Sequence, residues 1–297
     1  MTYRTWQPAP RRRPRLTRRG RLVVLVGAVL GLAAAVAVPL LLLGGPSDRP
    51  APEKQRTLLI PEGWRGGEVY AAVDRALGLP AGTARKAAHA PATGLALPAA
   101  AGGDPEGYLF PATYPVGKAT TAEGLLRYMV ETAGKRFGTA RVAEGARQHG
   151  ISVHEAVIIA SIVQAEADTA EDMGKVARVV YNRLAQGMPL QMDSTINYAL
   201  GRDTVDTSHQ DTRIDSPYNT YERRGLPPSP IGNPGDQAMA AAVAPAKGDW
   251  LYFVTVRPGD TRFTASYAEH QANVAEFNER RRAAGASGSA ATAEPAG

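Results

Sequence analysis

Leu22 to Leu43 is a run of 22 residues without a charged side chain, and no other feature limits what this chain can fold into as strongly. About 20 consecutive apolar residues span the hydrocarbon core of a bilayer when helical, and a helix satisfies its backbone polar groups within its own segment. The run follows 21 residues that carry eight arginines and no acid, the pattern of a cytoplasmic flank. It is too long for the apolar core of a cleavable signal, and no small-x-small site follows it. The sequence therefore predicts a cytoplasmic basic tail (1–21), a transmembrane helix (22–43) and a Pro- and Gly-rich linker (44–56), with everything beyond outside the cytoplasm. Pro39 lies near the outer end of the span, where it is tolerated.

The same tail accounts for the basic character of the chain. Removing its eight arginines from a net charge of +6 leaves −2 for the remainder, so nucleic-acid binding is not supported. There is no cysteine, which excludes disulfides, a thiol nucleophile and thiolate metal sites. His154-Glu155 begins like a zincin motif, but Ile158 stands where the second histidine belongs. No Walker loop, dinucleotide fingerprint or nucleophile elbow is present, so no cofactor or metal is expected. Carboxylate and amide chemistry remains.

Beyond the linker, Thr57 to Ile60 suits a strand and Glu68 to Leu77 a helix stopped by Gly78. Residues 80–104 are rich in Ala, Gly and Pro and read as a loose connection with weak helix, so 57–104 forms a small N-terminal subdomain. The larger part, 105–282, opens on the aromatic stretch EGYLFPATYPV. Helices follow near 121–137, 140–149, 152–167 and 171–186, and then a Pro-rich irregular region, 188–234. A helix near 235–244, strands at 251–256 and 261–265 around Pro258-Gly259-Asp260, and a closing helix at 267–282 complete it. Residues 283–297, rich in Ala, Gly and Ser, read as a disordered tail. Few, local strands among many helices predict an α+β fold: one catalytic domain of several helices with a small mixed or antiparallel sheet.

Glu166 is the residue whose placement is most telling. Ser152 followed by Glu155 forms a capping box for the helix that contains it. At about 100° per residue, Ile159, Ile162, Val163 and Glu166 share one sector, while His154, Ser161, Gln164 and Asp168 gather on the other side. A carboxyl group on the apolar face loses solvation of its charged form, so its pKa is expected to rise to where it can donate a proton. The alternative is a Glu that reaches solvent or pairs with Arg178 or Arg183. Downstream, Gln191-Met192-Asp193-Ser194-Thr195 precedes a short helix that Asp193 or Ser194 could cap. Ser216 to Tyr221 could be ordinary turn chemistry. Together these segments supply amides, hydroxyls and aromatic faces of the kind that hold a sugar chain.

The strings ASIVQAEA (160–167), VVYNRLAQGMPLQMDSTINYAL (179–200), SPYNTYERRGLPPSPIGNPG (216–235) and LYFVTV (251–256), with EGYLFPATY (106–114) upstream, resemble the MltG/YceG-like family of membrane-anchored endolytic murein transglycosylases. The resemblance runs from about residue 57 to 281. It implies a YceG-like fold and a single catalytic acid on the ASI helix. The family pattern there often carries two acids; this chain keeps the second as Glu166 and has Gln164 at the first. By position in the matching motifs it implies that Gln191, Asp193, Asn219 and Tyr221 line the glycan groove. Glu106 is a further substrate-binding candidate, and a capping or ion-pair role is its alternative.

The implied reaction cleaves nascent peptidoglycan strands internally, at the bond from N-acetylmuramic acid to N-acetylglucosamine, without water and leaving 1,6-anhydro ends. The implied partners are peptidoglycan glycan strands, the cytoplasmic membrane through residues 22–43, and peptidoglycan synthases. Family members commonly carry a small LysM-like module before the motif seen here as Ile60-Pro61-Glu62-Gly63; here only the short linker intervenes, so separate glycan affinity is expected to be missing. Two other readings stay open: a hydrolytic muramidase with Asp193 as second carboxylate, and a non-catalytic cell-wall-binding scaffold.

Overall fold

The structure is a computed structural model and describes residues 56–202 and 207–291, with side chains as far as Ala283. The expected basic tail, span and linker lie outside the described residues. Among the described residues, no helix is long and apolar enough to cross a membrane.

The fold is α+β, as the sequence predicts, with two small antiparallel sheets. Strand β1 (Arg56–Leu59) pairs with β2 (Thr113–Val116), and β3 (Tyr252–Arg257) pairs with β4 (Asp260–Thr264). β1 and β2 are far apart in sequence, so their pairing ties segment 57–104 to the stretch that begins at residue 105. The helix expected at 68–77 is α1 (Gly66–Leu77), which ends on Gly78 in the left-handed region, and α2 (Thr83–Ala88) follows in the connection. Asp74, buried, accepts hydrogen bonds from the Gly82 and Ala84 amides and fixes the turn between them.

Side chains set the starts of the next four helices. Thr121, Thr139, Ser152 and Thr169 each accept a hydrogen bond from an amide three residues on, opening α3 (Ala122–Phe137), α4 (Ala140–Gln148), α5 (Val153–Glu166) and α6 (Ala170–Ala185). At α5 the capping box is complete, with the Glu155 carboxylate accepting from the Ser152 amide at 2.7 Å. The irregular region holds α7 (Asp193–Ala199); α8 (Asp236–Val243) and α9 (Tyr267–Ala291) follow. α9 continues past residue 282, into the Ala-, Gly- and Ser-rich stretch expected as a tail, as far as Ala291.

α5 is the centre of the molecule. Every residue from Ala156 to Val163 is buried, with α4, α6, α7 and α8 packed around it. The two-faced pattern expected for it is therefore corrected: a helix enclosed by neighbours has no solvent face. Ser161, expected on a polar side, is buried; its hydroxyl donates to Ile158 O at 2.8 Å and accepts from the Ile231 amide at 3.0 Å. Gln164 likewise points into the protein, its Oε1 accepting from Gly235 N at 3.0 Å at the start of α8. Gly107, at φ +84°, lets the Glu106 stretch lie flat on the Pro-rich segment; a Cβ there would sit 2.5 Å from the Pro230 ring.

Candidate active site

Glu166 is the last residue of α5, and its carboxyl meets the beginning of α7. Ser194 N donates to Glu166 Oε1 at 3.2 Å. The residue keeps part of its surface open, yet its carboxyl is closely surrounded by protein. Loss of solvation pushes its pKa up; the Ser194 contacts oppose that rise, and the nearby Asp193 carboxylate adds to it. The C-terminal end of a helix acts in the same upward sense, because its last carbonyls carry partial negative charge. The Ser194 hydroxyl is buried beside the same carboxyl, but meets no partner at hydrogen-bond geometry among the described residues.

The two cations that would have given Glu166 an ordinary ion pair are committed elsewhere. Arg178 Nε donates to Ala246 O at 2.6 Å. Arg183 is buried and donates to the carbonyls of Leu251, Pro189 and Leu190 and to Gln191 Oε1, at 2.7 to 3.0 Å.

The segments 189–195 and 219–221 are clasped together. Gln191 N donates to Thr220 O at 3.0 Å, and Thr220 Oγ1 accepts from Met192 N and contacts Thr195 Oγ1. This brings Asp193, the first residue of α7, against Tyr221, whose hydroxyl donates to Asp193 Oδ1 at 2.5 Å. Burial raises the Asp193 pKa and that hydrogen bond opposes the rise; the Tyr221 phenol is itself pushed up, first by burial and then by Asp193. Neither Asp193 nor Ser194 caps α7; the N-cap is Met192, which makes no side-chain bond. Gln191 is exposed at φ +55°, the one non-glycine at positive φ among the described residues. Such a conformation is held by its surroundings, here by Arg183 and Thr220.

Asn219 is fully buried. Its amide nitrogen donates to Thr212 O and Ile214 O, and its oxygen accepts from the Tyr221 and Glu222 amides. All the hydrogen-bonding capacity of the side chain is used within the loop, so what Asn219 brings to the groove is the placement of Tyr221.

Glu106 is also buried. Both its oxygens accept from Gly66 N, at the start of α1; Asn233 Nδ2 donates to Oε1 at 3.1 Å and the Tyr198 hydroxyl to Oε2 at 3.4 Å. Burial raises its pKa to about 7 against the opposing Gly66 bond. Its contacts are those of a residue that caps a helix and joins the Gly63–Gly66 segment to α7. Asn233 completes this wall by donating to Trp64 O while its own carbonyl accepts from Gly63 N.

Glu166, Asp193 and Tyr221 thus converge, Gln191 stands at the rim, Asn219 lies behind Tyr221, and Glu106 lies behind α7. Sequence reasoning offers Arg183 as an ion-pair partner of Glu166 and Ser194 as a helix cap; the structure instead gives Arg183 to the turn after α6 and the Ser194 amide to the Glu166 carboxyl. Arg183 carried one signal: a cation at a core-facing position of an amphipathic helix.

The YceG-like family matches residues 37–276, a range that includes all of these residues. The endolytic murein transglycosylase of Bacillus subtilis (strain 168) is 40% identical over 166 residues, covering 56% of this chain and 46% of that protein. The endolytic murein transglycosylase of Streptococcus pneumoniae serotype 2 is 37% identical over 177 residues, 58% of this chain and 32% of that protein. The matched part is less than half the length of these relatives. The crystal structure of a yceG-like protein from Listeria monocytogenes superposes with a TM-score of 0.66 at 33% identity, covering 73% of this chain and 75% of the other. With a family match over most of its length and a solved neighbour of the same fold, this chain belongs to the YceG-like family.

Proposed function

We propose that the protein is an endolytic lytic transglycosylase of nascent peptidoglycan, with residues 22–43 as its single membrane span and its catalytic domain outside the cytoplasm. One observation carries the reading: the Glu166 carboxyl is enclosed by protein beside Asp193 and Tyr221, with no cation paired to it among the described residues, and loss of solvation pushes its pKa up. The names of the relatives from B. subtilis and S. pneumoniae agree with it.

In this mechanism protonated Glu166 donates its proton to the oxygen between N-acetylmuramic acid and N-acetylglucosamine. The C1–O bond breaks through an oxocarbenium-like transition state and the N-acetylglucosamine leaves as an alcohol. The 6-hydroxyl of the same muramic residue attacks C1, and the Glu166 carboxylate takes the hydroxyl proton. A 1,6-anhydro ring is formed, no water is consumed and the acid is regenerated. Gln191, Asp193 and Tyr221 hold the strand, Asn219 and Glu106 shape the walls, and peptidoglycan synthases supply the strand.

The test is mass spectrometry of the products from uncrosslinked peptidoglycan strands. Anhydro ends, lighter by one water than hydrolysed ends, are expected. Reducing ends would instead support the muramidase reading, for which the nearness of Asp193 to Glu166 is the favouring observation. Unchanged strands would support the scaffold.

The pH profile gives a second check. An acid that works in its protonated form loses activity as pH rises through its pKa, and the Asp193 charge raises that pKa in Glu166. Asp193→Asn is therefore expected to move the high-pH limb of kcat to lower pH. A limb that stays in place would show that the Asp193 charge does not tune the acid.

A further inference from the structure

We infer that Tyr252 and Tyr267 form an aromatic ledge that binds the faces of additional sugar rings where a glycan strand leaves the groove past Gln191. This inference rests on the proposed glycan substrate and adds a subsite to it.

The ledge is continuous with the groove through one side chain. Arg183 donates to Gln191 Oε1 at 2.9 Å, and the same guanidinium lies 5.1 Å from the Tyr252 ring centroid. Tyr252 in turn is stacked on His270, with centroids 5.1 Å apart and planes 21° from parallel, and its centroid is 5.5 Å from that of Tyr267. Burial and the Arg183 charge both lower the His270 pKa, which favours a neutral ring stacked on Tyr252.

Tyr267 is 58% exposed, one of few large apolar side chains left so open among the described residues. An exposed tyrosine offers a flat apolar face at small entropic cost, since two χ angles fix it. The C–H face of a pyranose ring is the complementary surface, whereas its hydroxyl edges remain free to meet water.

The ledge is also rigid. Thr264 Oγ1 donates to Glu269 Oε2 at 2.7 Å, and Arg262 donates to Asn273 Oδ1 at 3.1 Å and to Glu276 Oε2 at 2.7 Å. These bonds fix α9, which carries Tyr267 and His270, on the β3–β4 hairpin, which carries Tyr252. Cleavage within a strand requires the strand to continue beyond the reacting bond on both sides, and the hairpin and α9 supply a surface for that continuation.

Binding is measured with the full chain carrying Glu166→Gln, so that strands stay intact, against uncrosslinked peptidoglycan strands and against the same strands stripped of stem peptides. Adding Tyr267→Ala is expected to weaken binding to both by about five- to tenfold, and Tyr267→Phe to leave it within about twofold. Tyr267 is exposed, so an unchanged thermal midpoint is expected to accompany the loss; Tyr252→Phe serves as a second conservative control. Equal binding by the Tyr267→Ala protein would overturn the ledge, as would a loss confined to strands that carry stem peptides. Failure of the lytic reading itself is seen separately, as an absence of anhydro ends with the unaltered protein.

Discussion

Glu166→Gln is expected to abolish formation of anhydro ends, with turnover reduced by about 10³-fold or more, within the range a positioned general acid contributes. Gln has the shape of Glu and its carbonyl can still accept the Ser194 N–H bond, so the substitution removes the proton and little else. Stability distinguishes this from a damaged fold. The Glu166 pKa is raised in the folded protein, so the group's contribution to stability is full below the unfolded carboxylate pKa and is lost as pH rises through the folded value. Gln does not ionise, and the variant is therefore expected to be at least as stable as the parent at neutral pH, as catalytic sites often are when their buried acid is neutralised. Urea denaturation beside a product assay measures both. A variant that keeps more than about a tenth of the parental rate would remove Glu166 from the role of acid.

Asn219→Ala is expected to cost about 3 kcal/mol of stability and most of the activity. Two carbonyls and two amides lose their partner at a fully buried site, and each unsatisfied group costs roughly 1–3 kcal/mol, reduced where the loop opens to water. The same change frees Tyr221 from its position against Asp193, so activity falls even at temperatures where the fold survives. Asn219→Asp keeps the acceptor and loses the two donors, and should fall between the two proteins. An unfolding free energy from urea titration that differs between Asn219→Ala and the parent by less than about 0.5 kcal/mol would show that the loop is held by other means.

The helical order from residue 121 onward is legible in the sequence, most sharply at α5, where Ser152 and Glu155 mark the start and no Gly or Pro interrupts the run; the caps at Thr121, Thr139 and Thr169 come from the structure. In segment 57–104 the strand and the first helix are legible, but the pairing of β1 with β2 is not: the partner of Thr57 is Pro115, and so distant a contact leaves no local trace. The faces of α5 were misread for a related reason. Periodicity assumes one solvent side, whereas α5 is enclosed, and Ser161 and Gln164 find their partners in Ile231 and Gly235, about 70 residues away. In the site, the residue types were legible and their duties were not. Nothing local to Asn219 tells whether its amide faces a ligand or its own loop, and the Arg183 bonds to the Pro189 and Leu190 carbonyls and to the Gln191 side chain arise only when the turn after α6 folds back upon it.

The pairing of β1 with β2 has a mechanical side. A pull on the chain from before Arg56 enters the fold at β1, where four residues are zipped to a partner strand before the Glu62–Gly66 wall begins. Tension is thereby shared with β2, which leads on to α3. A protein tugged from its amino side would lose that ladder first, with Glu166 and Asp193 lying farther along the chain.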